Sequence, residues 1–139
     1  MKLSVKSDYA ARALLGLARH YLTGEAVRVE DLAAGQGVPP NYLGQILLDL
    51  KSKQIVKSQR GKEGGYLLAR SPSEITLGDV LRAVHGQVFD PPGLTDTQCP
   101  NELRLAWGKL RDSMERTADQ ITFQDLLDSS AEKEKMYYI

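Results

Sequence analysis

Residues 39–66 read PPNYLGQILLDLKSKQIVKSQRGKEGGY, and the hydrophobic period changes once inside that stretch. As far as Leu50 the apolar residues recur at helical spacing; from Ile55 the spacing becomes strand-like, and glycines follow at 61, 64 and 65. A short helix running straight into a glycine-tipped hairpin leaves few architectures open. Pro39 and Pro40 suit the helix entry, where the missing backbone donor costs nothing because those donors are unpaired anyway. Tyr42, Leu43, Ile46, Leu47 and Leu50 are predicted to form its buried face. Asn41, Gly44, Gln45, Leu48, Asp49 and the nearby Lys51 look outward. Residues 55–59 and 66–69 are then two strands joined by a glycine-containing loop.

The preceding residues supply two more helices. Ala10, Ala13, Leu14, Leu17, Ala18 and Tyr21 make one stripe of an amphipathic helix over 4–21, capped by Ser4 or Ser7. A second, shorter helix covers 29–34, and residues 35–40 form a turn rich in helix breakers. Helix, helix, tight turn and third helix make a helix-turn-helix, and the hairpin after it is a wing. In that arrangement the third helix enters the major groove of DNA by its N-terminal residues. Asn41 and Gln45, one turn apart, are the best base readers, because an amide pairs with an adenine edge in two places. The bland alternative for each is a solvated polar residue.

The hairpin's charge is lopsided. Lys51, Lys53, Lys57, Arg60, Lys62 and Arg70 face one acid, Glu63, and three glycines let the tip backbone approach a phosphate closely or enter a narrow groove. Arg60 suits the minor groove, whose potential is most negative over A·T-rich sequence. The candidate DNA-contacting set is therefore Asn41, Tyr42, Gln45 and Lys51 on the helix with Lys57, Ser58, Arg60, Gly61 and Lys62 on the hairpin. The GKEGG segment is no nucleotide-binding loop, since a strand follows the glycines where Lys-Ser/Thr and a helix would be required.

A formal net charge of zero conceals a segregation. Residues 1–70 carry a balance of +5 and residues 71–139 a balance of −5. Phosphate binding needs a local basic surface, and the first half has one. The single cysteine fits a reducing compartment, and neither a membrane-crossing run nor a signal-peptide core is present, so a cytoplasmic location with no membrane partner is expected. No catalytic constellation, metal-ligand spacing or phosphate loop points to an enzyme, a metal or another cofactor.

Beyond residue 71 the composition turns acidic. Ile75-Thr76-Leu77-Gly78-Asp79-Val80-Leu81 opens a helix with a Thr76/Asp79 capping box, and Ile121-Thr122-Phe123-Gln124-Asp125-Leu126-Leu127 echoes it. His85 ends the first of these helices, where the dipole favours a cation, and capping is expected of it rather than ligation. From Pro100 to about Ala118 a long helix is expected. Its residues Leu103, Trp107, Leu110, Met114, Thr117 and then Ile121 are spaced 4, 3, 4, 3 and 4 apart, a heptad seam most simply buried against a second copy, the bland alternative being a stripe packed only onto its own domain. The expected division is a winged helix-turn-helix domain at 1–86, a loop at 87–98, the dimerisation helix and a short capped helix at 99–130, and a tail at 131–139. The fold class is mainly α with a small β-hairpin wing and a long C-terminal dimerisation helix.

Together MKLSVKSDYAARALLGLA, PPNYLGQIL, VKSQRGKEGGYLLAR, ITLGDVLRAVHG and Trp107 with ITFQDLL resemble the Rrf-two (Rrf2) family of bacterial winged-helix regulators, the group containing IscR, NsrR and CymR. The resemblance covers nearly the whole chain. It implies a homodimeric transcriptional regulator, a repressor, held by the long helix and bound to a palindromic operator through the helix near Asn41 and a wing arginine at Arg60. Many members hold an iron–sulfur cluster on three cysteines in the loop before the long helix. This chain has Cys99 alone there, with His85 nearby and Asp8 at a position some relatives use as a ligand, short of the four ligands a two-iron cluster takes. A cluster-free regulator is expected, its signal thiol-based or mediated by an unidentified effector; Cys99, at the start of the long helix, is the candidate sensor, and its bland alternative, the favoured one, is an inert, partly buried residue. The rival readings are a cluster sensor with unusual ligands and a winged helix that binds protein, and the basic wing argues against the second.

Overall fold

The computed structural model describes residues 3–137, and side chains as far as Ala131. Six α-helices and one two-stranded antiparallel hairpin appear in the order α1 (Val5–Ala18), α2 (Val29–Gln36), α3 (Pro40–Ser52), β1 (Val56–Gln59), β2 (Gly65–Leu68), α4 (Leu77–His85), α5 (Asn101–Gln120) and α6 (Phe123–Tyr137). Short 3-10 turns lie at Tyr21–Thr23, Pro72–Glu74 and Pro92–Leu94. This is the mainly α fold with a hairpin wing read from the sequence.

One core unites α1 to α4 with α6. Ala10, Ala13, Leu14 and Leu17 of α1 meet Leu32 and Ala33 of α2 and Leu43, Ile46, Leu47 and Leu50 of α3. Val56 and Leu68 close the core from the hairpin, Val80 from α4 and Phe123 from α6. Ser4 caps α1, its hydroxyl accepting the Ser7 N–H at 3.1 Å. Helix α3 ends in a paired reversal: Ile55 N–H donates to Leu50 O at 3.1 Å and Gln54 N–H to Lys51 O at 3.0 Å, with Gln54 left-handed at φ 62°. That reversal turns the chain at once from α3 into the wing.

The echo between residues 75–81 and 121–127 has a structural meaning. Both capping boxes form, Asp79 with Thr76 and Asp125 with Thr122, each through reciprocal bonds of 3.0–3.1 Å. The two helix starts also pair with each other antiparallel: Leu77 N–H donates to Ile121 O and Phe123 N–H to Ile75 O, both at 3.0 Å. Beside this joint Arg82 of α4 donates through both terminal nitrogens to Asp119 of α5, at 2.7 and 2.8 Å. Gly78 makes room for that carboxylate, since a Cβ there would lie 2.0 Å from Asp119 Oδ1.

Helix α5 departs from this joint. Twenty residues make it about 30 Å long, and Ala118 at its C-terminal end is its one buried residue. Helix α6 runs on to Tyr137, longer than the short capped element expected, and packs back on α1. The side chains of the tail beyond Ala131 lie outside the described residues.

Candidate nucleic-acid interface

Helix α3 is held from behind and exposed in front. Asn41 and Gln45 are exposed one turn apart near its N-terminus, with Lys51 exposed in the last turn. Tyr42 corrects the burial pattern: expected inside, it is 43% exposed. Its ring meets Tyr9 edge-on at 5.6 Å, and the Arg12 guanidinium lies 5.6 Å from the Tyr9 ring. Position 42 lies at the margin of the apolar stripe, where an aromatic body packs while its hydroxyl stays wet.

Asp49 holds the other end of α3. Lys6 of α1 pairs with it at 2.7 Å, and this hydrogen bond holds the carboxyl below its ordinary range. Gln45 reaches Asp49 only at 3.5 Å, a weak tether that leaves its amide able to turn to a base edge. Sequence reasoning missed the Lys6–Asp49 pair, and no local pattern links residues so far apart in the chain.

The wing presents Lys57 and Ser58 on β1, opposite Leu67 and Tyr66, and both are exposed. Arg60, Gly61 and Lys62 are exposed at the tip, where a turn closes through Gly64 N–H to Gly61 O at 3.0 Å. The three glycines serve different purposes. Gly61, at φ 109°, has open space where a side chain would stand. Gly64 and Gly65 are pressed against the protein itself: a Cβ on Gly64 would lie 2.5 Å from Gln59 O, and one on Gly65 2.3 Å from Val27 O. Only Gly61 is therefore placed as the sequence analysis supposed, free to approach a groove.

The wing is also wider than a hairpin. Val27, before α2, exchanges both backbone bonds with Tyr66, at 2.9 and 2.8 Å, and so adds a one-residue bridge along the other edge of β2.

At the far end of the molecule, Leu103 and Leu110 of α5 are each 44% exposed and Leu105 is 74% exposed, while Trp107 and Met114 are half-buried. The loop before α5 folds against the seam, with Phe89 and Trp107 ring centroids 6.3 Å apart. Half-buried Cys99 lies beside it: a Cβ on Gly93 would lie 3.1 Å from Cys99 Sγ and 2.9 Å from Trp107 Cδ1.

The comparisons with known proteins agree with this geometry. The Rrf2 family model, described as an iron-dependent transcriptional regulator, matches residues 3–129. The chain belongs to the Rrf2 family of transcriptional regulators. It is 38% identical over 131 residues to an HTH-type transcriptional regulator of Mycobacterium tuberculosis H37Rv, covering 91% of this chain and 81% of that one. It is 32% identical to the HTH-type regulator CymR of Bacillus subtilis over the whole of both chains. Among solved structures, IscR of T. potens superimposes with a TM-score of 0.81 at 33% identity, over 99% of this chain and 97% of that one. CymR of B. subtilis superimposes with a TM-score of 0.82 at 27% identity, over 93% and 98%. This Rrf2 protein is thus a winged-helix DNA-binding regulator and not an enzyme. No helix among its described residues is long and apolar enough to cross a membrane.

The residues present do not fit the cluster that the family's iron dependence suggests. Cys99 is the chain's one thiol. Asp8 is paired with Arg12 at 2.9 Å, and His85 Nε2 is hydrogen-bonded to Ser7 Oγ at 2.6 Å and Ser4 Oγ at 2.9 Å. Among the described residues, no three Cys, His, Asp or Glu side chains converge on a metal-sized space. His85 corrects an expectation too: it ties the end of α4 to the start of α1 as well as sitting at a helix C-terminus.

Proposed function

We propose that this Rrf2 protein is a cytoplasmic, homodimeric repressor that binds a palindromic operator with sequence specificity and without an iron–sulfur cluster. The observation carrying the reading is that Asn41, Tyr42, Gln45 and Lys51 of α3 and Lys57, Ser58, Arg60, Gly61 and Lys62 of the hairpin that follows it are all exposed, with four of the nine basic. Amides at the front of α3 read base edges in the major groove; the lysines neutralise phosphates; Arg60 enters the minor groove. Residues 1–86 are the reader and α5 the means of pairing two of them. Support for pairing is the stripe Leu103, Trp107, Leu110 and Met114, only partly covered by the loop before it, on a helix that buries one residue within its own chain. Two copies joined there present two recognition helices to half-sites about one helical turn apart.

The signal is thiol-based or carried by an effector. Cys99 supports the first, because Gly93 packs close to both its sulfur and the Trp107 ring, so a bulkier oxidised sulfur crowds the loop residue that lies beside this seam residue. Peroxide treatment followed by measurement of operator affinity tests this: wild type changes and Cys99→Ser does not, whereas equal behaviour of the two removes the thiol signal.

The central test is a titration of protein on a duplex selected from a randomised pool. Affinity is expected to fall on the order of a thousandfold between 50 and 200 mM salt, as release of counterions from six or more phosphates requires. A flat response overturns the DNA-binding reading. Anaerobically purified protein is expected to be colourless, and stoichiometric iron with visible absorbance overturns the cluster-free part.

A further inference from the structure

Arg28 is the residue before α2, in the position that caps a helix. Ser, Thr, Asp or Asn there would accept a first-turn N–H, but Arg28 makes no side-chain cap, and α2 begins uncapped on that side. Its side chain reaches instead across to the wing, where Nη2 donates to the carbonyl of Lys62. Lys62 lies inside the tip turn closed by Gly64 N–H to Gly61 O. The guanidinium therefore grips the middle of the turn next to Arg60.

Little else fixes that tip. Below Lys62, Glu63 and Gly64 lies an open cleft of about 480 Å³ floored by Gly16 and Leu32, so the tip does not rest on the core. The sheet is anchored further back, where Val27 exchanges bonds with Tyr66 and Gly65 lies flush against the Val27 carbonyl. Beyond the Gln59–Gly65 pair only the turn 60–64 projects, and the long-armed donor at position 28 is its strut.

We propose that Arg28 is a positioning residue for DNA recognition, which latches the wing tip through the Lys62 carbonyl and so sets where Arg60 enters the minor groove. The inference rests on the reading of the wing as the minor-groove contact. Arg28 itself touches no base in this scheme, and its effect on DNA passes through the tip.

The test uses the full chain and a duplex selected on the wild type, alongside the same duplex with its A·T flanks changed to G·C. Wild type, Arg28→Ala, Arg60→Ala and the double variant are titrated on both. Arg28→Ala is expected to weaken binding to the A·T-flanked duplex three- to tenfold, roughly the net contribution of one ordinary hydrogen bond because the loosened tip still reaches the groove, and to lower the A·T over G·C preference. In the Arg60→Ala background the Arg28 change is expected to add nothing, because the residue it positions is gone. Losses that multiply in the double variant, or an Arg28→Ala loss equal on both duplexes, overturn the latch and make Arg28 an independent phosphate contact. Failure of the wild type to bind any duplex in a salt-dependent way is a different result, and overturns the DNA-binding reading on which the latch depends.

Discussion

The joint between the reader and the long helix is a place where a magnitude can be worked from the structure. Arg82 and Asp119 form a two-pronged ion pair at 2.7 and 2.8 Å, with side chains 38% and 44% exposed. Exposed pairs contribute about 0.2–1 kcal/mol, and the forked geometry places this one near the upper end. Replacing Asp119 alone misreports that energy. An acid in the last turn of α5 opposes the helix dipole, and its removal returns roughly 0.3–0.5 kcal/mol. A double-mutant cycle of Arg82→Ala and Asp119→Asn cancels that contribution, and a coupling of about 1 kcal/mol is expected at pH 7. The pH dependence has a definite sign. Bonding to Arg82 lowers the Asp119 pKa, while the same bond raises that of Arg82, which stays charged throughout. A carboxyl depressed in the folded state contributes its full stability above the unfolded pKa near 3.9, and loses it as pH falls through the folded value. Urea denaturation of the four chains should thus give a coupling constant from pH 7 to 5 that shrinks between pH 4 and 3. A coupling below about 0.3 kcal/mol at neutral pH, or one that does not diminish in acid, would refute the reasoning.

Other expectations follow from single positions. Gln54→Gly should stabilise the chain by about 0.5–1 kcal/mol, since φ 62° strains a residue with a Cβ while glycine's extra freedom in the unfolded chain offsets only part of the gain; a thermal melt should rise roughly 2–4 °C with DNA affinity unchanged. Gly65→Ala should cost about 1–3 kcal/mol in urea unfolding, because its methyl would collide with the Val27 carbonyl at a positive φ. Leu110→Asp should sediment as a monomer and lose on the order of a hundredfold in operator affinity; a surviving dimer would remove the seam. Arg60→Ala should flatten the A·T flank preference, whereas Lys57→Ala should weaken all duplexes alike and reduce the salt slope by about 2, one for each protomer of the proposed dimer.

What the sequence discloses here is whatever is local. The change from helical to strand period after Leu50, the two capping boxes and the long helix that carries the stripe involve residues within a turn or two of each other, and these elements form where they were read. Asn41, Gln45 and the basic wing were legible as an exposed polar face for the same reason. Contacts between distant segments were not. Nothing around Gly64 and Gly65 announces that Val27 lies against them, so glycines placed for packing read as glycines placed for DNA. Arg28 has nothing in its local sequence to mark it, and its partner is a carbonyl, which carries no residue signature. The echo of ITLGDVL in ITFQDLL was visible, but its antiparallel pairing across Thr76 and Thr122 needed the fold.

These distant contacts form a line from the recognition helix to the seam. Asp49 of α3 holds Lys6 of α1; Ser4 and Ser7, beside Lys6, hold His85 of α4; Arg82, one turn before His85, holds Asp119 of α5. Spatial continuity is not coupling, and side chains this exposed transmit little by themselves. The backbone pairing of residues 75–77 with 121–123 is stiffer, because its two bonds engage peptide groups fixed on both sides by caps and the buried Phe123. A signal that moves α5 at Trp107 acts near one end of a lever about 30 Å long whose other end is clamped there. In the proposed homodimer the economical response to such a push is rotation of one whole reader against its mate about the joint, with α3 and the wing unchanged within each reader. Amide exchange separates the two possibilities: protection in α3 should be the same with and without modification of Cys99, while protection around residues 119–123 should fall. Loss of protection within α3 itself would show that the signal reaches the reader by melting its recognition helix.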